Sequence, residues 1–433
     1  MDAKTAVAPR RALPPWVWVP TLYFAQGLPY ILITVLSVFM YKKLGLGNDQ
    51  ITLLTNLVGL PYTFKPLWSP FVDALGTRRR WVWTMQIATG AGLAVLAASV
   101  GSTQGLAMAT ALFVVAAVTA ATHDIAADGL YLLGLRDTEQ KAYVGVRTVF
   151  FRLAMFAGNG PLVVLAGHLE NSMGDAHHAY AAFYGIMAVV MVAFGLWHLF
   201  ALPRPETDRP GNLHGANEQL RNFVGTFGSF FRKPGIAVGI AFLLLYRLGE
   251  ALLLAVAKLF MLDPVEKGGL GLTTEQVGVI YGVWGIVALL VGGLLGGFLT
   301  SRDGLKRWLW PMMIAINLPD VVYLYLAQNQ TVSLSVVQAC VMIEQVGYGF
   351  GFTAYLLYMM QLARGEHQTA HYALCTGFMS LGVLVPGAWS GAIQKAVGYE
   401  QFFLWVLVAT LPGMIVGAFL RIDDPPRRDA KPA

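Results

Sequence analysis

Charge is what this sequence has least of. Asp, Glu, Lys and Arg make up 12% of its 433 residues, about half the roughly 25% of an ordinary soluble domain. Twelve per cent cannot clothe a 47 kDa globule in water. A soluble enzyme, a nucleic-acid binder and a disordered chain are therefore excluded. Cysteine is nearly absent: Cys340 and Cys375 both lie in apolar stretches, so neither a disulfide framework nor a thiolate metal site is expected. No G-x-x-x-x-G-K-[ST] run occurs, which leaves a nucleotide-driven pump without its site. The eight histidines are scattered, and the adjacent His177 and His178 are weak ligands at best. No metal and no cofactor is expected. The first fifteen residues are polar and lack a short apolar core before a cleavage site, so they read as a tail rather than a signal peptide.

What is present is apolar sequence, 56% of the chain, with a mean hydropathy of +0.58. A helix that crosses a bilayer needs roughly 20 mostly apolar residues. Such stretches fall at 16–41, 50–72, 81–101, 106–134, 143–167 and 180–202, here numbered spans 1 to 6. Six more follow at 235–262, 275–300, 308–327, 332–362, 370–394 and 400–420, spans 7 to 12. The expected organisation is a tail (1–15), a six-helix bundle (16–202), a solvated connector (203–234), a second six-helix bundle (235–420) and a C-terminal tail (421–433). Orientation follows from Lys and Arg, which accumulate on the cytoplasmic side. Of the 30, the tails and alternate loops on one side hold 22 and the opposite loops hold 4. Both termini are expected to be cytoplasmic. Lys65, Arg152, Arg247 and Lys258 remain inside spans.

The two halves repeat. Pro70 to Trp83, with its Asp73-Ala-Leu-Gly76-Thr-Arg78-Arg79-Arg80 turn, aligns with Gly297 to Trp310 at an offset of 227. Asp49-Gln50-Ile51 matches Glu275-Gln276-Val277 at 226. Parallel halves of this kind place a solute site between them near the midplane. Small-xxx-small spacings at Gly293/Gly297 and Gly347/Gly351 suit close helix packing.

The repeated turn after spans 2 and 8 resembles the signature loop of the major facilitator superfamily. A closer likeness runs through Ala25-Gln26-Gly27-Leu28-Pro29, Phe64-Lys65-Pro66-Leu67-Trp68-Ser69-Pro70 and His123-Asp124 to Asp128. It continues in Phe151-Arg152-Leu153, Tyr246-Arg247-Leu248-Gly249-Glu250-Ala251 and Ile343-Glu344-Gln345. These segments resemble AmpG-type muropeptide permeases from about residue 16 to 420. His123 stands where such permeases usually have Gln, and 258–262 fits poorly. The resemblance implies an all-α membrane protein of the major facilitator fold, with twelve helices in two pseudo-symmetric bundles. It further implies a proton-driven importer of anhydro-muropeptides in the bacterial inner membrane. The wider family also carries acetyl-CoA and siderophore-like solutes, so another anionic organic solute is the alternative reading. A membrane-embedded enzyme is a second, and a channel or receptor is disfavoured by the duplication.

Ionisable residues at span depth are Lys65, Asp124, Asp128, Arg152, Arg247, Glu250, Lys258, Asp320 and Glu344. Each costs at least roughly 2.5–3.5 kcal/mol at a helix centre, so each needs a partner or a wet cavity. Asp124 and Asp128 share one helical face and suit a proton carrier; salt bridges to Arg152 are the plainer alternative. Glu344 is a second proton candidate. His123 is expected to be a satisfied core histidine. Lys65 has no acid at helical spacing and is the foremost candidate for an anionic solute. Arg152, Arg247 and Glu250 are further candidates, though Arg247 and Glu250 also suit a local pair. Gln26, Tyr62, Trp68 and Gln345 complete the expected substrate set, with the aromatics equally suited to helix packing. Asp320, after Pro319, reads as well as the cap of a kinked helix. Asp73, Gly76, Arg78, Arg79 and Arg80 form the expected conformational-switch loop. The expected partners are the solute, protons and lipid, with no nucleic acid, and the expected oligomeric state is a monomer.

Overall fold

The computed structural model describes residues 13–100, 105–211, 221, 225, 228–365 and 368–422. Every expected span is covered by helix, and no strand occurs among the described residues. Nine helices there are long and apolar enough to cross a membrane. Three features account for the difference from twelve. Spans 11 and 12 run on as Ala370–Gly417, divided where Gly398 takes a φ of 80° that L side chains rarely adopt. Span 2 is broken into Asn48–Leu57, Leu60–Phe64, Lys65–Leu67 and Ser69–Leu75. Span 10, Leu334–Ala363, is long but diluted by Gln338, Glu344 and Gln345.

Proline causes most of the breaks, because it lacks an N–H and its ring collides with the carbonyl four residues back. Pro61, Pro66 and Pro70 fragment span 2. Pro161 divides span 5 into Asp137–Asn159 and Pro161–Met173, and Pro319 forces the tight turn Leu318–Asp320 in span 9. Span 7 parts between Ile236–Leu245 and Leu248–Leu262 without a proline. There Arg247 sits at φ −104°, ψ 19°, outside the helical well.

The repeat is visible in the helix starts. Asn48 and Thr274 open spans 2 and 8 at the 226-residue offset, and Arg78 and Leu305 open spans 3 and 9 at 227. Span 8 carries a widened turn at Ile280–Gly285, opposite the break at Val58–Gly59 in span 2.

Glycine sets how closely the bundles meet. A Cβ on Gly282 of span 8 would lie 1.9 Å from the Cα of Gly160 in span 5. One on Gly391 of span 11 would lie 2.1 Å from the Asn48 carbonyl oxygen in span 2. Further along the second pair, spans 2 and 11 part around an apolar cleft lined by Phe64, Leu67, Ala373 and Phe378. Within the second bundle Gly347 and Gly351 pack on span 9 as expected, but the span 8 pair is Gly292/Gly296. Gly297 meets nothing within 4 Å. Outer faces carry apolar side chains such as Phe200 and Leu294, both more than 70% exposed, as lipid contact requires.

Residues 1–12, much of 203–234 and 423–433 lie outside the described residues. The connector is not wholly solvated. Phe230 is fully buried in the second bundle, and Lys233 donates to the carbonyls of Leu362 (2.6 Å) and Arg364 (2.8 Å).

Candidate functional site

The break at Pro66 turns Lys65 out of the helical ladder toward span 4, where its ammonium donates to Asp124. Gln26 of span 1 donates to the other oxygen of the same carboxylate. Three helices thus converge on Asp124. The pair is not closed off: the Lys65 side chain is 35% exposed and that of Asp124 14%. Trp68 donates its indole N–H to Thr122 at 3.2 Å, a helix-packing role. Tyr62 stacks edge-on against Tyr30 (centroids 5.0 Å apart), and its buried hydroxyl has no hydrogen-bond partner.

Asp128, one turn below Asp124, accepts from Tyr23 (3.1 Å) and from Arg147 (3.0 Å). Arg147 was expected in a cytoplasmic segment. It lies instead in the helix of span 5, its guanidinium 4.6 Å from the Tyr23 ring centroid and 5.1 Å from that of Tyr131. The carboxylates are therefore paired, as the plainer alternative had it, but with Lys65 and Arg147 rather than Arg152. Arg152 is exposed, on the helical face it shares with Asn159 seven residues on. His123 is held in a buried chain. The Gln86 amide nitrogen meets His123 Nε2 at 2.9 Å, its carbonyl oxygen meets His198 Nδ1 at 2.8 Å, and Thr21 meets His198 Nε2 at 3.0 Å. Spans 1, 3, 4 and 6 are tied by it.

In the second half Arg247 donates to the Tyr348 hydroxyl (2.8 Å) and lies over the rings of Tyr348 and Phe352. It does not hydrogen-bond Glu250, so the expected local pair is not formed: both Glu250 oxygens are buried with no hydrogen-bond partner. Asp320 is in the same condition and makes no side-chain cap, contrary to the capping expectation, although the kink is there. Glu344 accepts from its neighbour Gln345, at 3.0 and 3.1 Å, and from the Tyr323 hydroxyl. Lys258 reaches Asn159 of the first bundle (3.5 Å) and sits over the Tyr281 ring.

At the end opposite the signature loop the halves are laced by polar contacts. Asp263 binds Lys42 (2.6 Å), Asn48 (3.1 Å) and Tyr399 (2.5 Å). Glu170 takes Lys43 (3.2 Å), Tyr180 (2.6 Å) and Thr274 (3.0 Å). Lys395 binds Asp49 at 3.0 Å and holds that carboxyl below the usual carboxylate range. Sequence reasoning missed this lattice because each member reads singly as a loop charge. At the signature loop, Asp208 of the connector accepts from the backbone N–H groups of Arg78 (2.7 Å) and Arg79 (3.0 Å), satisfying the start of span 3. The Arg79 guanidinium reaches the carbonyls of Leu199 and Leu202 in span 6, Gly76 is extended, and Arg80 is exposed. The side chain of Asp73 lies outside the described residues.

No group of three His, Cys, Asp or Glu is arranged to hold a metal among the described residues. What the arrangement offers is a polar axis between two bundles closed at one end, cations on both sides of the seam, and buried carboxyls. A family model described as Major Facilitator Superfamily matches residues 21–385. The chain is 28% identical over 402 residues to the anhydromuropeptide permease of Escherichia coli, covering 91% of this chain and 77% of that protein. It is 23% identical over 407 residues to a putative transporter, AmpG 4, of Rickettsia conorii, covering 92% and 94%. Among solved structures, the nucleoside transporter NupG superposes with a TM-score of 0.66 at 14% identity, covering 93% of this chain and 97% of that one. At that identity the likeness speaks for the fold alone.

Proposed function

The chain belongs to the major facilitator superfamily and is a multi-pass membrane transporter, and from that premise we propose that it imports anhydro-muropeptides across the bacterial inner membrane with protons. The relative named anhydromuropeptide permease, alike over nearly the whole chain, supports the substrate class. The observation that carries the reading is Lys65. A cation freed by a proline break at mid-span, partnered on one side only, is suited to a peptide carboxylate. Arg247 faces the seam from the other half, with Tyr30 of span 1 within reach of its charge. Arg152, Gln26, Tyr62, Trp68 and Gln345 complete the proposed solute path. Of the carboxyls the sequence offers for the proton, Asp124 and Asp128 are paired with Lys65 and Arg147, and Glu344 lies buried in the second half.

The bias of Lys and Arg supports cytoplasmic termini and two bundles at 16–202 and 235–420 working as a monomer. In that orientation the laced end faces the periplasm, and the chain stands open inward, as a carrier does when it releases its solute. The signature loop, with Gly76 and Arg78 to Arg80, then lies at the opening end.

Uptake of a labelled anhydro-muropeptide into proteoliposomes tests the reading. Saturable uptake, competed by unlabelled muropeptide and not by a nucleoside, is expected. Uptake equal to that of empty liposomes would overturn it.

A further inference from the structure

Three buried carboxyls in the second half differ from the pairs in the first. Glu250, Asp320 and Glu344 come from spans 7, 9 and 10, and are 0%, 1% and 2% exposed. Glu250 and Glu344 act electrostatically on Asp320, Glu250 acts on Glu344, and Arg247 acts on Glu250. Yet all four oxygens of Glu250 and Asp320 lack a hydrogen-bond donor. Asp124 and Asp128, by contrast, are each held by a cation and a polar side chain.

Among the described residues, the charged and titratable groups that act on the triad are Arg247, Tyr281, Tyr323 and Tyr348. On span 7, Arg247 acts on Glu250 through space but gives its hydrogen bond to Tyr348, and Lys258 turns to Asn159 and the Tyr281 ring. Tyr281 of span 8 and Tyr323 of span 9 bond each other through their hydroxyls, and Tyr323 also bonds Glu344. Tyr348 of span 10 is taken by Arg247, and Tyr30 of span 1 feels that cation rather than the triad. Span 12 presents the Thr410 methyl and the Val406 carbonyl at Gly249 and no titratable group there. An isolated carboxylate at this depth is strongly disfavoured, and two or three near one another more so. The geometry is not that of a metal cage among the described residues. The remaining small partner is a proton on the carboxyl oxygen.

We infer that Glu250, Asp320 and Glu344 form the proton-carrying site of this transporter, with Asp320 a member of it rather than a helix cap. The inference rests on the proposed proton-coupled import but narrows it. The proton travels in the second half, while Asp124 and Asp128 serve the first half as counter-ions to Lys65 and Arg147. Asp320 stands at the proline break of span 9 and Glu250 in the first turn after the break of span 7. Both carboxyls are therefore placed at hinges, where a rearrangement of the second bundle exposes them.

The test uses purified full-length protein in liposomes, with Asp320→Asn and Asp320→Glu beside the natural chain. Infrared difference spectra between acid and alkaline medium read protonated carboxyls without any solute. The band of a protonated buried carboxyl is expected in the natural protein at neutral pH, reduced in Asp320→Asn and restored in Asp320→Glu. In the same vesicles, accumulation of labelled muropeptide under a pH gradient is expected to fall to unity in Asp320→Asn and to recover at least in part in Asp320→Glu. An infrared band unchanged by Asp320→Asn overturns the inference, as does undiminished accumulation. Accumulation driven by sodium with no pH gradient overturns it too. If muropeptide is not transported at all, the substrate reading fails while the infrared arm still judges the triad.

Discussion

Lys65 is the residue on which the solute reading turns. Its ammonium has one protein partner, Asp124, and a side chain 35% exposed. Lys65→Ala leaves Asp124 with Gln26 alone and removes the cation that a solute carboxylate would meet. Uptake is expected to fall at least about tenfold, which corresponds to roughly 1.4 kcal/mol, and Lys65→Arg is expected to recover part of it. Initial uptake rates at limiting solute measure both, and a natural rate in the alanine variant would return Lys65 to a purely structural role. The need for a partner was legible in the sequence, since no acid lies at helical spacing. The partner was not, because 59 residues separate Lys65 from Asp124. Arg147 shows the same limit. Read along the chain it is one more cytoplasmic cation; only packing brings it to Asp128 and Tyr23.

Among the elements, spans 5 and 8 of the two bundles cross backbone to backbone at Gly160 and Gly282. A methyl group on Gly282 cannot be accommodated without moving a backbone. Gly282→Ala is therefore expected to separate the bundles at the laced end. Spin labels at Met173 and Lys267, both exposed, measure this by electron resonance. A longer mean distance in the variant is expected, and an unchanged one would show that the crossing does not set closure. The lacing itself resists protons. Asp49 is held below its usual range by Lys395, so that link is present above about pH 3.9 and lost only as pH falls through the lowered value. Uptake medium at mildly acid pH is thus expected to leave this link intact, read as an unchanged distance between the spin labels at Met173 and Lys267 in a chain that keeps Asp49 and Lys395. The helix starts were legible from apolar runs to within a few residues, and so was the kink at Pro319; the breaks at Pro61, Pro66 and Pro161 were not, since the apolar runs read straight through them. The packing face of span 8 was not, since the choice between Gly292/Gly296 and Gly293/Gly297 depends on how the helix is rotated against span 10.

For the whole molecule, charge distribution supports the proposed orientation: with Arg147 moved into span 5, 21 cations remain on one side's segments against 4 on the other. In single-cysteine variants of a cysteine-free background, a membrane-impermeant thiol reagent applied from outside is expected to label a cysteine at Met173 and not one at Arg80. The reverse pattern would invert the account of which end is closed. The duplicated architecture was legible from a repeat of 14 residues, Pro70 to Trp83, with a second match of three upstream, because both copies fall at the same turn. The meeting of Asp263 and Glu170 with the opposite half was not, since it belongs to one conformation and not to any local pattern.

The central claim is that a proton gradient drives muropeptide inward. A monoanionic solute carried with one proton moves no net charge, so the pH gradient alone supplies the work. Each proton then supports roughly tenfold accumulation per pH unit, while membrane potential adds nothing until a net charge moves. The decisive measurement is the steady-state ratio of labelled anhydro-muropeptide inside and outside proteoliposomes under an imposed gradient, acid outside. The account predicts a ratio that rises with the gradient and collapses to unity with a protonophore. A ratio that stays at unity under every gradient, or that survives the protonophore, would contradict it.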